Sequence, residues 1–257
     1  MSKLTPAHKE QLRDFEIKLE AELAEKAKSD RNWQEPADSA ALKGAKHEPI
    51  YDGTVDLEEY LSSPLKILWI LKEARDNKEG VAGGGWSVTK CIIPRDIATG
   101  KISWLHARMA CITYSVRNNY VPWSEKWGAD SKVPESLKSI AYINVSKLPG
   151  RSKSYYAYIK YCYEKNRDIL RSQINAYDPD IVICGNVLNL FFSDFGLNNQ
   201  DLQPQGSAAF SFKNGRLYIN AFHPSYRRIK NGPYVNDIVA IIKNNSANFH
   251  PRQSAIR

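Results

Sequence analysis

Apolar and polar residues along the chain alternate with two distinct periods. Near the start, Leu12, Phe15, Leu19 and Leu23 recur at helical spacing, with Glu and Lys on the opposite face. Thr5-Pro6 supplies an N-cap followed by proline at the first helical position, so a helix is expected to run from there to about Ser29. Its apolar stripe suits packing against the main body; a partner-binding helix is the alternative. Residues 30–60 are mixed and interrupted by Pro36, Gly44, Pro49 and Gly53, and read as a connection with short helical pieces such as 56–61.

From Leu65 onward the texture changes. Segments 65–71, 140–145, 181–184 and 217–221 are short, nearly continuous apolar runs rich in β-branched residues, as central strands buried on both faces require. Helix-like stretches at 102–117, 155–177, 187–195 and 235–244 separate or follow them. Strands alternating with helices predict a three-layer α/β/α fold around a central, mainly parallel four-stranded sheet, with an N-terminal helical extension. The expected division is an extension and connection at 1–60, a catalytic domain at 61–250 and a tail at 251–257.

Charge alters this picture more than composition does. The 257 residues are 42% hydrophobic, enough for a full core. No apolar run approaches membrane-spanning length and no secretory signal is read at the start, so a cytoplasmic protein is expected, and as a monomer. Residues 1–60 hold 9 Lys+Arg against 14 Asp+Glu, whereas residues 61–257 hold 27 against 14, a balance of +13. A polyanion such as DNA is the natural partner of that body, because neutralising phosphates releases counterions. Cys91, Cys111, Cys162 and Cys184 are widely spaced with no Cys-x-x-Cys pair, which suggests neither zinc nor disulfides.

In a sheet of this kind ligands bind beyond the carboxyl ends of the strands. The first run leads into Lys72-Glu73-Ala74-Arg75-Asp76-Asn77 and then a loop with Gly83-Gly84-Gly85-Trp86-Ser87. The second ends at Asn144 before Ser146-Lys147-Leu148-Pro149-Gly150; the third reaches Gly185-Asn186; the fourth runs into His223-Pro224-Ser225-Tyr226-Arg227-Arg228. A carboxylate, an amide, an aromatic and a histidine therefore converge on one edge.

These motifs, in this order, resemble the uracil-DNA glycosylase superfamily. Its iron–sulfur branches end the first core strand in Gly-Glu-Ala-Pro-Gly, and this chain has Lys72-Glu73-Ala74-Arg75. Tyr142-Ile143-Asn144-Val145-Ser146-Lys147 matches the strand whose asparagine reads the base, and Asn220-Ala221-Phe222-His223-Pro224-Ser225 matches the late strand running into His-Pro-Ser. Residues 179–186 are similar to the strand between them, and Trp86 stands where the family stacks a phenylalanine on the flipped base. The resemblance covers roughly residues 64–245. Lys72 and Arg75 depart from the family's glycine and proline, Ala74 from another branch's catalytic aspartate, and Leu148 from a cluster cysteine. Cys162 alone cannot hold a cluster, so no iron–sulfur centre and no other cofactor is expected.

The resemblance implies a monofunctional DNA glycosylase that flips a base and hydrolyses its bond to the sugar. Cleavage builds positive charge on the sugar and negative charge on the departing base. Glu73 would orient water and stabilise the sugar cation, with Asp76 as the rival carboxylate. His223 would donate to the base oxygen, Asn144 would read the base edge and Trp86 would stack on it. Ser225, Tyr226, Arg227 and Arg228 would hold DNA, with Lys147 and residues 151–153 as further phosphate contacts. Water rather than lysine is the expected nucleophile, since no strand-end lysine shows an apolar pocket that would depress its pKa. Uracil is the family's usual base, and a modified base is equally open. The alternatives are a base-sensing DNA-binding relative without catalysis, and an N-glycosidase of free nucleosides or nucleotides.

Overall fold

The computed structural model describes residues 6–30, 33, 46–76, 82–150 and 153–249. Thr5, Asn77, Arg151 and the tail 251–257 lie outside them. Helix α1 (Pro6–Ser29) ends where the sequence pattern stops and buries Leu12, Glu16, Leu19, Leu23 and Ala27. Glu16, the one acid in that stripe, accepts from the Thr54 amide and hydroxyl, each at 2.7 Å, and from Lys90 Nζ at 3.3 Å. Leu19, Leu23 and Ala27 pack with Trp33, Leu148 and Ile169, so α1 lies on the body of the molecule.

The strands are β1 (Ile50–Tyr51), β2 (Gly53–Thr54), β3 (Ile67–Leu71), β4 (Trp86–Ser87), β5 (Ile140–Asn144), β6 (Ile181–Gly185), β7 (Gln203–Gln205), β8 (Ala208–Lys213) and β9 (Arg216–Ala221). The longer helices after α1 are α2 (Leu57–Ser62), α3 (Ile93–Thr99), α4 (Trp104–Arg117), α5 (Tyr156–Tyr177) and α6 (Asn231–Asn244). Asp56 caps α2 by accepting from the Glu58 and Glu59 amides. A π-helical turn, Val88–Ile92, leads into α3.

The fold is α/β, but the main sheet is not four-stranded. It has seven strands in the order β2-β5-β3-β6-β9-β8-β7 and is mixed. The four strands anticipated from apolar runs stand together, and each pairs in parallel with its neighbour. The other three run antiparallel at the edges. They escaped the sequence pattern for physical reasons. Two residues of β2 have no period, β7 contains Pro204, and β8 is only half-buried at most positions. Because β2 comes from the segment before residue 61, that segment is hydrogen-bonded into the sheet.

Alternate strand residues face opposite layers. Ile67, Trp69 and Leu71 pack with Met109 and Ile112 of α4 and with Tyr234, Ile238 and Ile241 of α6. Leu68, Ile70, Ile143 and Val182 pack with residues of α1, α2 and α5. Among the described residues no helix is long and apolar enough to cross a membrane. Register places the strand ends in one row: Asn144 pairs with Leu71, Ile70 with Cys184, and Gly185 with Ala221.

Candidate active site at the strand ends

Glu73 and His223 each lie two residues beyond that row, after β3 and β9, with β6 between those strands. Where β3 and β9 end, two strand spacings, about 10 Å, separate them. Gly185 leaves room for His223 and Leu71 to close over the end of β6. A Cβ there would come within 2.5 Å of Leu71 Cδ2 and 3.2 Å of His223 Cδ2.

The His223 ring is fixed by its own loop. Ser225 Oγ lies 2.7 Å from Nδ1, and the Ser225 amide, which can only donate, points at the same nitrogen at 3.3 Å. Nδ1 is therefore the acceptor, and the neutral ring carries its proton on Nε2. Burial, reinforced by the charge of Lys72, lowers the His223 pKa to about 4, so the ring is neutral at physiological pH. The site holds a neutral N–H donor.

Glu73 is partly buried, and burial pushes its carboxyl pKa up; a hydrogen bond from Ser154 Oγ and the charge of Lys72 oppose the shift. Its side chain lies against Gly150, where a Cβ would sit 2.3 Å from Glu73 Cγ. The two loops are laced together. The Gly150 amide donates to Ala74 O at 2.7 Å, the Asp76 amide to Gly150 O at 3.2 Å, and the Ser146 amide to Lys72 O at 2.9 Å. Asp76, the rival carboxylate, has a different task. Its Oδ2 accepts from Trp86 Nε1 at 2.6 Å and from the Gly84 amide at 3.0 Å, and so organises the glycine loop.

Trp86 is thereby held in β4, half-buried against the apolar core. Asn144 is wholly buried. Its amide donates to Asp52 Oδ2 at 2.8 Å and its Oδ1 accepts from Tyr142 Oη at 3.2 Å. Its Nδ2 has no partner among the described residues. An unsatisfied buried donor costs about 1–3 kcal/mol, a cost that an incoming acceptor would remove.

Lys147 is corrected by the structure. It is fully buried, with Nζ 2.7 and 2.8 Å from the Asp52 carboxylate oxygens and 2.7 Å from Gln173 Oε1. No phosphate can reach it. It also overturns the expectation that no strand-end lysine sits where its pKa would be depressed, since burial lowers the Lys147 pKa against the pull of Asp52. Sealed in that pair, it offers no nucleophile. The loop after β9 contrasts with it: Ser225, Arg227 and Arg228 are exposed, and Tyr226 stacks on Phe222 with ring centroids 4.9 Å apart. Lys153 is exposed as well.

Arg108 was not anticipated. It is 1% exposed, and its guanidinium donates to the carbonyls of Pro224 at 3.2 Å, Tyr226 at 2.8 Å and Ile229, while Nε donates to Asn231 Oδ1 at 2.8 Å. The guanidinium also lies 4.5 Å from the Tyr234 ring centroid. The signal was present in the sequence as an arginine set directly against the apolar run Met109, Ala110, Cys111 and Ile112. Among the described residues no three His, Cys, Asp or Glu side chains gather as metal ligands. Comparisons of the chain with protein-family models, with curated proteins and with solved structures find no match in any of the three.

Proposed function

We propose that the strand-end site hydrolyses a glycosidic bond in nucleic acid. More particularly, the chain is read as a monofunctional DNA glycosylase acting as a cytoplasmic monomer on a flipped uracil or modified base. The observation that carries this reading is the pairing of chemistries at one level of the sheet: a neutral His223 whose Nε2–H is uncommitted, and a Glu73 carboxyl raised by burial. Bond cleavage needs both, a base for water on the sugar side and a donor for the departing base.

In this mechanism the Glu73 carboxylate takes a proton from water and the oxygen forms a bond to the sugar carbon. The electron pair of the glycosidic bond leaves with the base. Nε2–H of His223 stabilises the charge that collects on the base oxygen. A neutral donor suits this role, because it stabilises the anion without first giving its proton to solvent. The unpaired Nδ2 of Asn144 supplies a donor for base recognition once the site opens. Arg227 and Arg228 supply phosphate contacts.

A second reading, base sensing without cleavage, is favoured by one observation: Glu73 is engaged by Ser154. Purified protein incubated with duplexes carrying single uracil, hypoxanthine or modified cytosine, then assayed for abasic sites, separates the two. Abasic sites in any duplex support the glycosylase. Tight binding with every base left in place supports the sensor.

A further inference from the structure

We infer that this edge of the sheet grips single-stranded DNA, stacking unpaired bases on aromatic rings to either side of Glu73 and His223. The inference rests on the proposed reading for where the target base sits, and adds the state of the strand around it. Among the described residues, Trp104, Tyr155, Tyr156 and Phe222 are the exposed large aromatic side chains, and each is tied to this edge: Tyr155 and Tyr156 follow Ser154, Phe222 precedes His223, and Trp104 lies against Arg108. Isolated exposed apolar residues are ordinary, but their gathering at one site marks an interaction surface.

Two platforms result. On the α5 side, Tyr155 precedes and Tyr156 opens α5 directly after Ser154, the residue that donates to Glu73. Tyr155 is 67% exposed, while Tyr156 is steadied by Asn189, just beyond β6, whose Nδ2 donates to its hydroxyl at 2.6 Å. On the β9 side, Phe222 immediately precedes His223 and lies nearly parallel to Tyr226, with an interplanar angle of 10°. Trp104 joins that side through Arg108, which sits 5.1 Å from its ring centroid and holds the loop carbonyls.

Exposed cations accompany both platforms: Arg75 and Lys153 on the first side, Arg227, Arg228 and Lys230 on the second. Positive charge along a backbone track with rings for successive bases is the composition that single strands require. Inside a duplex, base faces are covered by their neighbours and offer nothing to a ring. Platforms on both sides of the site therefore call for unpaired nucleotides on both sides of the target.

Fluorescence anisotropy on the full chain tests this, using a thymidine oligomer of about 15 nucleotides, a paired duplex of equal length and an abasic oligomer. None carries an excisable base, so binding is read apart from cleavage. The thymidine oligomer should bind about tenfold or more tightly than the duplex. Tyr155→Ala and Phe222→Ala should each weaken its binding about 5- to 150-fold, the range for loss of one stacked base, and leave duplex binding unchanged. Tyr155→Phe, which keeps the ring, should bind as wild type does, and the abasic oligomer should bind wild type at least as weakly as the thymidine oligomer binds either alanine variant. Equal or tighter binding of the duplex, unchanged affinity in both alanine variants, or no binding of any DNA overturns the inference. Cleavage of duplex DNA without single-strand preference sinks the inference alone. Ring-dependent single-strand binding with every glycosidic bond left intact sinks the proposed function alone.

Discussion

The stretches after β5 and β9 leave the same edge of the sheet with similar composition, Ser146-Lys147-Leu148-Pro149-Gly150 against Pro224-Ser225-Tyr226-Arg227-Arg228, yet they have opposite fates. Every residue from Asn144 to Gly150 is buried, and Lys147 is locked onto Asp52. After β9, Ser225, Arg227 and Arg228 stand in solvent, while the buried cation is Arg108 beneath the loop. The difference lies in what the fold brings to meet each cation. Residues 50–54 run across the end of β5 and deliver a buried carboxylate, whereas α4 delivers to the β9 loop a guanidinium that satisfies its carbonyls. A basic residue after a strand is therefore a phosphate contact only where no acid has been folded onto it.

The largest effect should come from breaking the sealed side. Lys147→Met leaves Asp52 buried without its cation and should cost about 3–5 kcal/mol in urea unfolding at neutral pH. A loss below about 1 kcal/mol would mean that the pair is solvated. Arg108→Met strips three carbonyls of their charged donor and should cost about 3 kcal/mol. It should also speed exchange of the Tyr226 amide, which bonds to His223 O at 2.8 Å. Unchanged exchange there would show that the loop holds itself.

A third effect is pH-dependent and belongs to the open side. The folded pKa of His223, about 4, lies below its ordinary 6.5, so the unfolded chain binds the proton more readily. Its contribution to stability is complete above pH 6.5 and is lost as pH falls from there toward 4. His223→Gln should flatten the wild-type decline of urea midpoint across that window; identical slopes would contradict the buried neutral ring. Comparing the two proteins cancels the titration of His47 and His106, which burial also lowers. The smallest effect on stability should come from Arg227→Ala or Arg228→Ala, within about 0.5 kcal/mol. Each should nevertheless weaken DNA binding and reduce its salt slope by about one. An unaltered slope would remove these residues from the interface.

Much of this architecture was legible because apolar periodicity reports burial directly. The stripe of α1 and the four runs that became β5, β3, β6 and β9 carry that signal in full. What periodicity cannot carry is pairing over long sequence distance. Asp52 and Lys147 lie 95 residues apart, and nothing local marks either as the other's partner. Trp86 and Asp76 were each legible as candidates, but not as partners across the glycine loop. His223 with Ser225 was legible as a motif, while the proton position that gives it chemical meaning depends on the turn that aims the Ser225 amide at Nδ1.

Single-turnover cleavage and binding, measured on one DNA substrate, single strand or duplex, that wild type converts to an abasic product, test the central claim most directly. Glu73→Gln removes the charge that accepts the water proton and should slow cleavage about 10²-fold or more. His223→Ala removes the donor at the leaving base and should slow it about 10²- to 10³-fold. Both variants should bind that substrate as wild type does, because neither belongs to the cationic rim, and the acid limb of the wild-type rate should lie above the ordinary glutamate value of 4.5. Wild-type rates in both variants, or a wild-type protein that binds DNA yet opens no base–sugar bond in any single strand or duplex, would contradict the account.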